Sequence, residues 1–200
     1  MTTSPAVSVI ELTPDDIPRV AVLDRLAFAP TSFAQQLFSS VSAQDYETWY
    51  SARLAVGMTA IQSGHPYKMR IAKVEGQVAG FAWWEDVPAR ENNQPGKGRT
   101  WPKGAPEVAA RLRGEAVDAR VGAIKEAYYK VLWLAVHPEH QGRGIGGMLM
   151  REGLDAADQR GLPMHVVAVN DMVSSTTSGY SFRSLRDNRD YDHHTRCTAR

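Results

Sequence analysis

The chain has 200 residues, enough for one domain with a sizeable core. Lys and Arg total 23 against 22 Asp and Glu, for a net charge of +1, so charge gives no case for a nucleic-acid or anionic-membrane partner. The single cysteine, Cys197, excludes an internal disulfide and a cysteine metal cluster, and points to a reducing compartment.

No stretch has the uninterrupted apolar length of a membrane span, and residues 1–8 lack the basic-then-apolar build of a signal peptide. The expected location is the cytoplasm, with nuclear entry left open. Residues 7–12 read as a first strand. Thr13-Pro14-Asp15-Asp16 is a helix start, with a capping side chain and acids at the positive end of the dipole. A helix over 17–28 should bury Val20, Leu23 and Leu26 or their neighbours. Pro30-Thr31-Ser32 breaks it, and a short helix over 33–38 follows. Ser42, with Asp45 three residues on, caps a helix of about 20 residues ending at Ser63-Gly64. Two strand-like runs, 68–74 and 77–84, flank Glu75-Gly76, which is hairpin spacing and hairpin turn chemistry. Residues 86–104 form a polar loop rich in proline and glycine, long for a compact domain. Residues from 106 to about 128 have helical character.

Residues 131–136 are an apolar run short enough for a buried strand. Pro138 follows, which a central strand would not tolerate. Then come Gly142, Gly144, Gly146 and Gly147. A helical pattern runs on from there: Ile145, Met148, Leu149 and Ala156 share one face, and Met150, Leu154 and Ala157 form a second apolar flank. Gly161 and Pro163 end it, and 164–169 read as the next strand. Strand, helix, strand makes a βαβ unit with parallel strands. The first turn of such a helix offers unpartnered backbone N–H groups and a positive dipole, and glycines let a ligand approach them closely. That is a cradle for a diphosphate, with Arg143 as an added cation.

Two spellings fit the cradle. Gly142, Gly144 and Gly147 give G-x-G-x-x-G, the dinucleotide fingerprint, with Asp171 roughly where a ribose-binding acid would fall. Against it stand the proline-bearing segment before the first glycine and the non-repeating α/β region upstream. The other spelling is Gln141-Gly142-Arg143-Gly144-Ile145-Gly146, or Q-x-x-G-x-G, preceded by Leu134-Ala135-Val136-His137-Pro138. This run resembles the acetyl-CoA signature of the GNAT (Gcn5-related) N-acetyltransferases.

The resemblance implies an α/β fold with a central mixed sheet flanked by helices, in which strands four and five splay apart. It implies a single domain over 1–187, with an insertion or lid at 88–127. It also implies acetyl-CoA as cofactor, and a small-molecule or peptide amine as acceptor. Leu134, Ala135 and Val136 would then face pantetheine, while Gln141, Gly142, Arg143, Gly144, Ile145, Gly146 and Gly147 hold phosphate. A backbone N–H near Val136 would polarise the thioester carbonyl. No metal is implied, and a monomer or homodimer fits equally.

The tail departs from the family. Ser175-Thr176-Thr177-Ser178-Gly179 fits loosely, but Phe182 stands where the family's tyrosine would be, and Arg186-Asp187 replaces Gly-Phe. Residues 188–200 are polar and charged, the composition of a disordered or atypical tail. Tyr180 is the nearest tyrosine able to reprotonate the leaving thiolate, or its ring merely packs. Glu85 is the expected base, beside Asp86 and His137. The chain therefore reads as an N-acetyltransferase, or else as a non-catalytic acyl-CoA-binding relative. A dinucleotide binder stays as a third reading.

Overall fold

A computed structural model describes residues 6–89, 100–122 and 124–166. In order, these form β1 (Val7–Glu11), a 3-10 turn (Pro14–Asp16), α1 (Ile17–Phe28), α2 (Ser32–Phe38) and α3 (Ala43–Gln62). Next come β2 (Tyr67–Val74), β3 (Gln77–Val87), α4 (Glu107–Gly122), β4 (Tyr128–Val136), α5 (Ile145–Gln159) and β5 (Met164–Val166). The sheet order is β1-β2-β3-β4-β5. The first four strands are antiparallel and β5 runs parallel to β4, a mixed sheet rather than the all-parallel sheet of a dinucleotide-binding domain. The expected divergence of β4 and β5 falls past Val166, outside the described residues.

Local chemistry sets most boundaries. Thr31 Oγ1 accepts the Ala34 N–H at 3.1 Å and starts α2. Ser42 Oγ accepts the Asp45 N–H at 3.0 Å and starts α3. Thr13 differs from its expected role: its hydroxyl donates to Asp16 Oδ2 at 2.7 Å and caps no backbone amide. Glu75 and Gly76, with φ of 50° and 79°, make the tight hairpin turn between β2 and β3. Two boundaries moved. β3 continues to Val87, and β4 begins at Tyr128, where helix was expected. Two aromatic side chains, Tyr128 and Tyr129, bury on the sheet and suit strand better than helix. Met148 is 36% exposed, so the buried face of α5 centres on Ile145, Leu149 and Leu154.

The core lies on both faces of the sheet. α1 and α3 cover one face, over Ile71, Phe81 and Trp83. α5 covers the other, over Ala82, Trp84 and Val131. Two glycines let α5 sit close. A Cβ on Gly153 would lie 2.7 Å from Trp84 Cε2, and one on Gly80 would lie 2.9 Å from both Ile145 Cγ2 and Leu149 Cδ1. Arg70 ties the layers at the surface, bonding Glu11 of β1 at 2.7 Å and Glu152 of α5 at 3.1 Å.

β4 carries a bulge. Trp83 pairs with Trp133 while Trp84 pairs with Val131, so Leu132 has no partner on β3. One extra residue turns the side chains after it to the other face. Tyr129 and Val131 lie in the α5 layer, whereas Leu132, Trp133 and Ala135 lie in the α1–α3 layer. Between β3 and β4 the described part of the long connection is fastened down. Trp101 stacks on Trp49 at 6.4 Å, and Ser40 Oγ donates to the Gly104 carbonyl at 2.8 Å.

Candidate functional site

The turn after β4 is built from local bonds. The His137 N–H donates to the Ala79 carbonyl at 2.9 Å, which keeps the strand end on β3. Pro138–His140 then make a 3-10 turn, and the His137 ring accepts the Glu139 N–H at 3.3 Å. Gln141 reaches back, with Nε2 donating to the Val136 carbonyl at 3.1 Å. Gly142 and Gly144 take φ of 75° and 78°, the left-handed region that disfavours any side chain. A Cβ on either would stand in open space, so conformation requires these glycines and crowding by the protein does not.

Gly144 is the N-cap of α5, and no side chain caps it among the described residues. Among the described residues the first-turn amides therefore have no side-chain acceptor, at the positive end of a 15-residue helix. Arg143 is exposed beside them, its Nη1 3.4 Å from His140 Nδ1. This arrangement fits a diphosphate, for which it supplies bare amides, an open approach and a neighbouring cation.

Individual roles are sorted by burial. Gly142, Arg143 and Gly144 are exposed, and Gly146 and Gly147 are half-buried. Ile145 is buried against the sheet, so only its backbone can face a ligand. The Gln141 side chain braces the strand end. Leu134, Ala135 and Val136 lead into the turn, with Ala135 buried and the other two half-buried. Glu85 stands apart from this group, on β3 opposite Lys130 and two residues beyond Trp83, about 7 Å along the strand. Its neighbour Asp86 is occupied by an ion pair with Arg160. Tyr180 and Asp171 lie outside the described residues.

A second cluster went unread in the sequence. Asp24 of α1 is fully buried. Its Oδ2 accepts the Tyr46 hydroxyl at 2.6 Å, and its Oδ1 accepts the Trp133 indole N–H. Burial pushes the Asp24 carboxyl up to about 7, against the opposing pull of the Tyr46, Trp133 and Tyr50 donors and the Arg53 charge. The Tyr50 hydroxyl makes no well-formed hydrogen bond among the described residues, so Tyr46 and Trp133 hold the carboxyl in place. Arg53 lies over the Trp83 and Trp133 rings at 5.7 and 5.6 Å, and its buried Nε has no hydrogen-bond partner among the described residues. The same field, burial first and then the Asp24 charge, raises the Tyr46 hydroxyl. Asp24 thus joins α1, α3 and β4 directly beside the bulge. The available signal was its place three and four residues after Ala21 and Val20, on the apolar stripe of α1.

The sequence matches the model of the acetyltransferase (GNAT) family over residues 34–174. No curated protein gives a match. Among solved structures the fold is similar to a GNAT family acetyltransferase from Brucella melitensis in complex with acetyl-CoA (16% identity, TM-score 0.50, covering 97% of this chain and 88% of that one). It is also similar to a GCN5-related N-acetyltransferase from Ralstonia eutropha JMP134 (15% identity, TM-score 0.51, 85% and 88%). A third is the PaiA N-acetyltransferase from Thermoplasma acidophilum in complex with coenzyme A (13% identity, TM-score 0.52, 96% of each chain). At these identities the likeness is one of fold.

Proposed function

The chain belongs to the acetyltransferase (GNAT) family, and on that footing we propose that it moves an acetyl group from acetyl-CoA to a primary amine of a small molecule or peptide. The observation that carries this reading is the uncapped, left-handed glycine turn leading from β4 into α5. When bound, acetyl-CoA supplies a thioester: the amine nitrogen bonds to its carbonyl carbon, the carbon–sulfur bond breaks, and sulfur takes a proton as it leaves.

The chain's own residues then divide the work. The amides of Gly142, Gly144, Ile145, Gly146 and Gly147 hold the diphosphate, with Arg143 beside them. Leu134, Ala135 and Val136 offer strand backbone to the pantetheine arm, and the Gln141 brace keeps that strand end in place. A strand amide near Val136 polarises the carbonyl. Glu85 takes the proton that the ammonium must lose. It is the base of choice because Asp86 is engaged by Arg160 and the His137 ring by the Glu139 amide. Tyr180 returns a proton to sulfur. Holding both reactants in place contributes up to about 7–11 kcal/mol, so a modest base suffices.

Isothermal titration with acetyl-CoA tests the cradle. Binding should be clear in the wild type and absent in Gly144→Glu, whose carboxylate would sit at the phosphate position. No heat with either CoA or acetyl-CoA would remove the proposal. The altered motif at 182–187 favours a second reading, binding without turnover. Thiol release across a broad amine panel separates the two, since any clear turnover refutes the second.

A further inference from the structure

Trp133 is gripped from the α1–α3 side by four groups. Phe28 of α1 meets its ring edge-on at 5.5 Å, Tyr50 of α3 lies against it at 5.4 Å, and the Arg53 guanidinium sits 5.6 Å from the ring centroid. The fourth is Asp24, whose Oδ1 accepts the indole N–H. Asp24 is fully buried, and its other oxygen accepts the Tyr46 hydroxyl at 2.6 Å. Ring contacts tolerate rotation and slip, whereas a hydrogen bond has a direction. Burying a carboxyl costs stability that an apolar side chain of similar volume would not. What the carboxyl adds is register, the best attested use of a buried polar group.

Apolar pattern alone does not set the register of β4. Residues 131–136 are apolar throughout, so either layer accepts either set of side chains. The one-residue insertion at Leu132 decides which set goes where, and it decides the backbone as well. The His137 N–H donates to the Ala79 carbonyl at 2.9 Å, and bonded pairs alternate with unbonded ones along an antiparallel ladder. Ala135, opposite Phe81, and Trp133, opposite Trp83, therefore turn their amides to β3. Leu134 and Val136 turn theirs to the other edge. The Val136 carbonyl is accordingly free to accept Gln141 Nε2 at 3.1 Å. Without the insertion the two sets would exchange edges.

We propose that Asp24 is a positioning residue for acetyl transfer: by holding the Trp133 indole to α1 it keeps β4 in its bulged register, so that the backbone groups of Leu134 and Val136 meet the thioester arm of acetyl-CoA. This rests on the acetyl-transfer reading above and adds to it a residue that touches neither cofactor nor acceptor.

The probes are acetyl-CoA and 3′-phosphoadenosine 5′-diphosphate, which has the diphosphate and no pantetheine arm. Calorimetry gives the ratio of their affinities. The resonance of acetyl-CoA labelled with carbon-13 at the acetyl carbonyl reports polarisation by the strand amide. Asp24→Leu removes the acceptor of the indole bond and Trp133→Phe removes its donor. Each should cut the ratio about tenfold, near the most that one backbone hydrogen bond to the arm provides. Each should leave the nucleotide affinity within about twofold, because the glycine turn is untouched. The bound carbonyl resonance should move towards that of the free thioester. Asp24→Asn still accepts the indole N–H and should keep both the ratio and the resonance. The double variant Asp24→Leu/Trp133→Phe should lose no more than either single one, since both break the same bond. Trp133→Phe keeps the Tyr46 bond, so it carries the test where Asp24→Leu does not fold. Variants that retain the wild-type ratio overturn the proposal. So does an equal loss for both probes, which is what general loosening would give, and so does an Asp24→Asn protein as impaired as Trp133→Phe. A wild type that binds neither probe ends the acetyl-transfer reading and this proposal with it. A wild type that binds both, with undisturbed variants, ends the proposal alone.

Discussion

Asp24→Asn isolates the energetic effect of the buried carboxyl. The wild-type group moves from 3.8 in the unfolded chain to about 7 in the folded one, driven first by burial. Its folded value is raised, so between these two values the folded protein keeps a proton that the unfolded chain has lost. Stability from this group is therefore complete below 3.8, falls through the window, and levels off above about 7. The full penalty is about 4 kcal/mol, and the part between pH 5 and pH 8 is about 3 kcal/mol. Asparagine keeps the shape: its carbonyl can accept from Trp133 and its amide can donate to Tyr46. It carries no titrating proton. Arg53, Tyr46, Tyr50 and Trp133 face the same point and stay in place, so subtracting the two proteins cancels every other group. Urea unfolding at pH 5, 6, 7 and 8 should show the variant gaining about 3 kcal/mol on the wild type across that range, or about 6–12 °C in Tm for a chain of this size. Two folded proteins whose stability difference is flat from pH 5 to pH 8 would refute the reasoning.

Two further outcomes follow from packing and charge. Gly153→Ala puts a methyl 2.7 Å from Trp84 Cε2, so α5 must shift; the expected loss is about 1–3 kcal/mol, seen as a lower urea midpoint. Lys73→Met removes the cation 2.9 Å from Asp16. Burial raises the Asp16 carboxyl, but the Lys73 and Thr13 hydrogen bonds and the Lys73 charge together hold it below its usual value. A lowered folded value stabilises at neutral pH and loses that effect as pH falls through it. The variant should thus lose Tm at pH 7 and lose less at pH 3, and an equal loss at both would contradict the assignment.

The sequence revealed the elements whose physics is local. Cap, hairpin and breaker residues sit beside the bonds they make, so α2, α3 and the β2–β3 turn could be read from Thr31, Ser42, Glu75 and Gly76. The glycine turn was legible for the same reason, because a run of glycines before an amphipathic helix has few other uses. What stayed hidden depends on contacts distant in the chain. Asp24 meets Trp133 across 109 positions, and nothing near either residue announces the other. The bulge was hidden differently: residues 131–136 are apolar on both faces, so no polar alternation marks where the chain switches sides. Trp101 likewise looked like part of a polar excursion until its stacking partner, Trp49, came from a helix 52 positions (101 − 49) away. The glycines at 80 and 153 carry no local signal of their own, yet each marks a place where helix and sheet come close.

Leu132 makes β4 a strand with two phases. Its odd-numbered residues belong to one layer before the insertion and to the other after it, so no single parity describes which positions of 128–136 tolerate charge. The same shift is what lets an indole from this strand meet a carboxylate on α1. A relative whose strand is one residue shorter here would point that indole at α5, and an aspartate at position 24 would then have no reason to be buried.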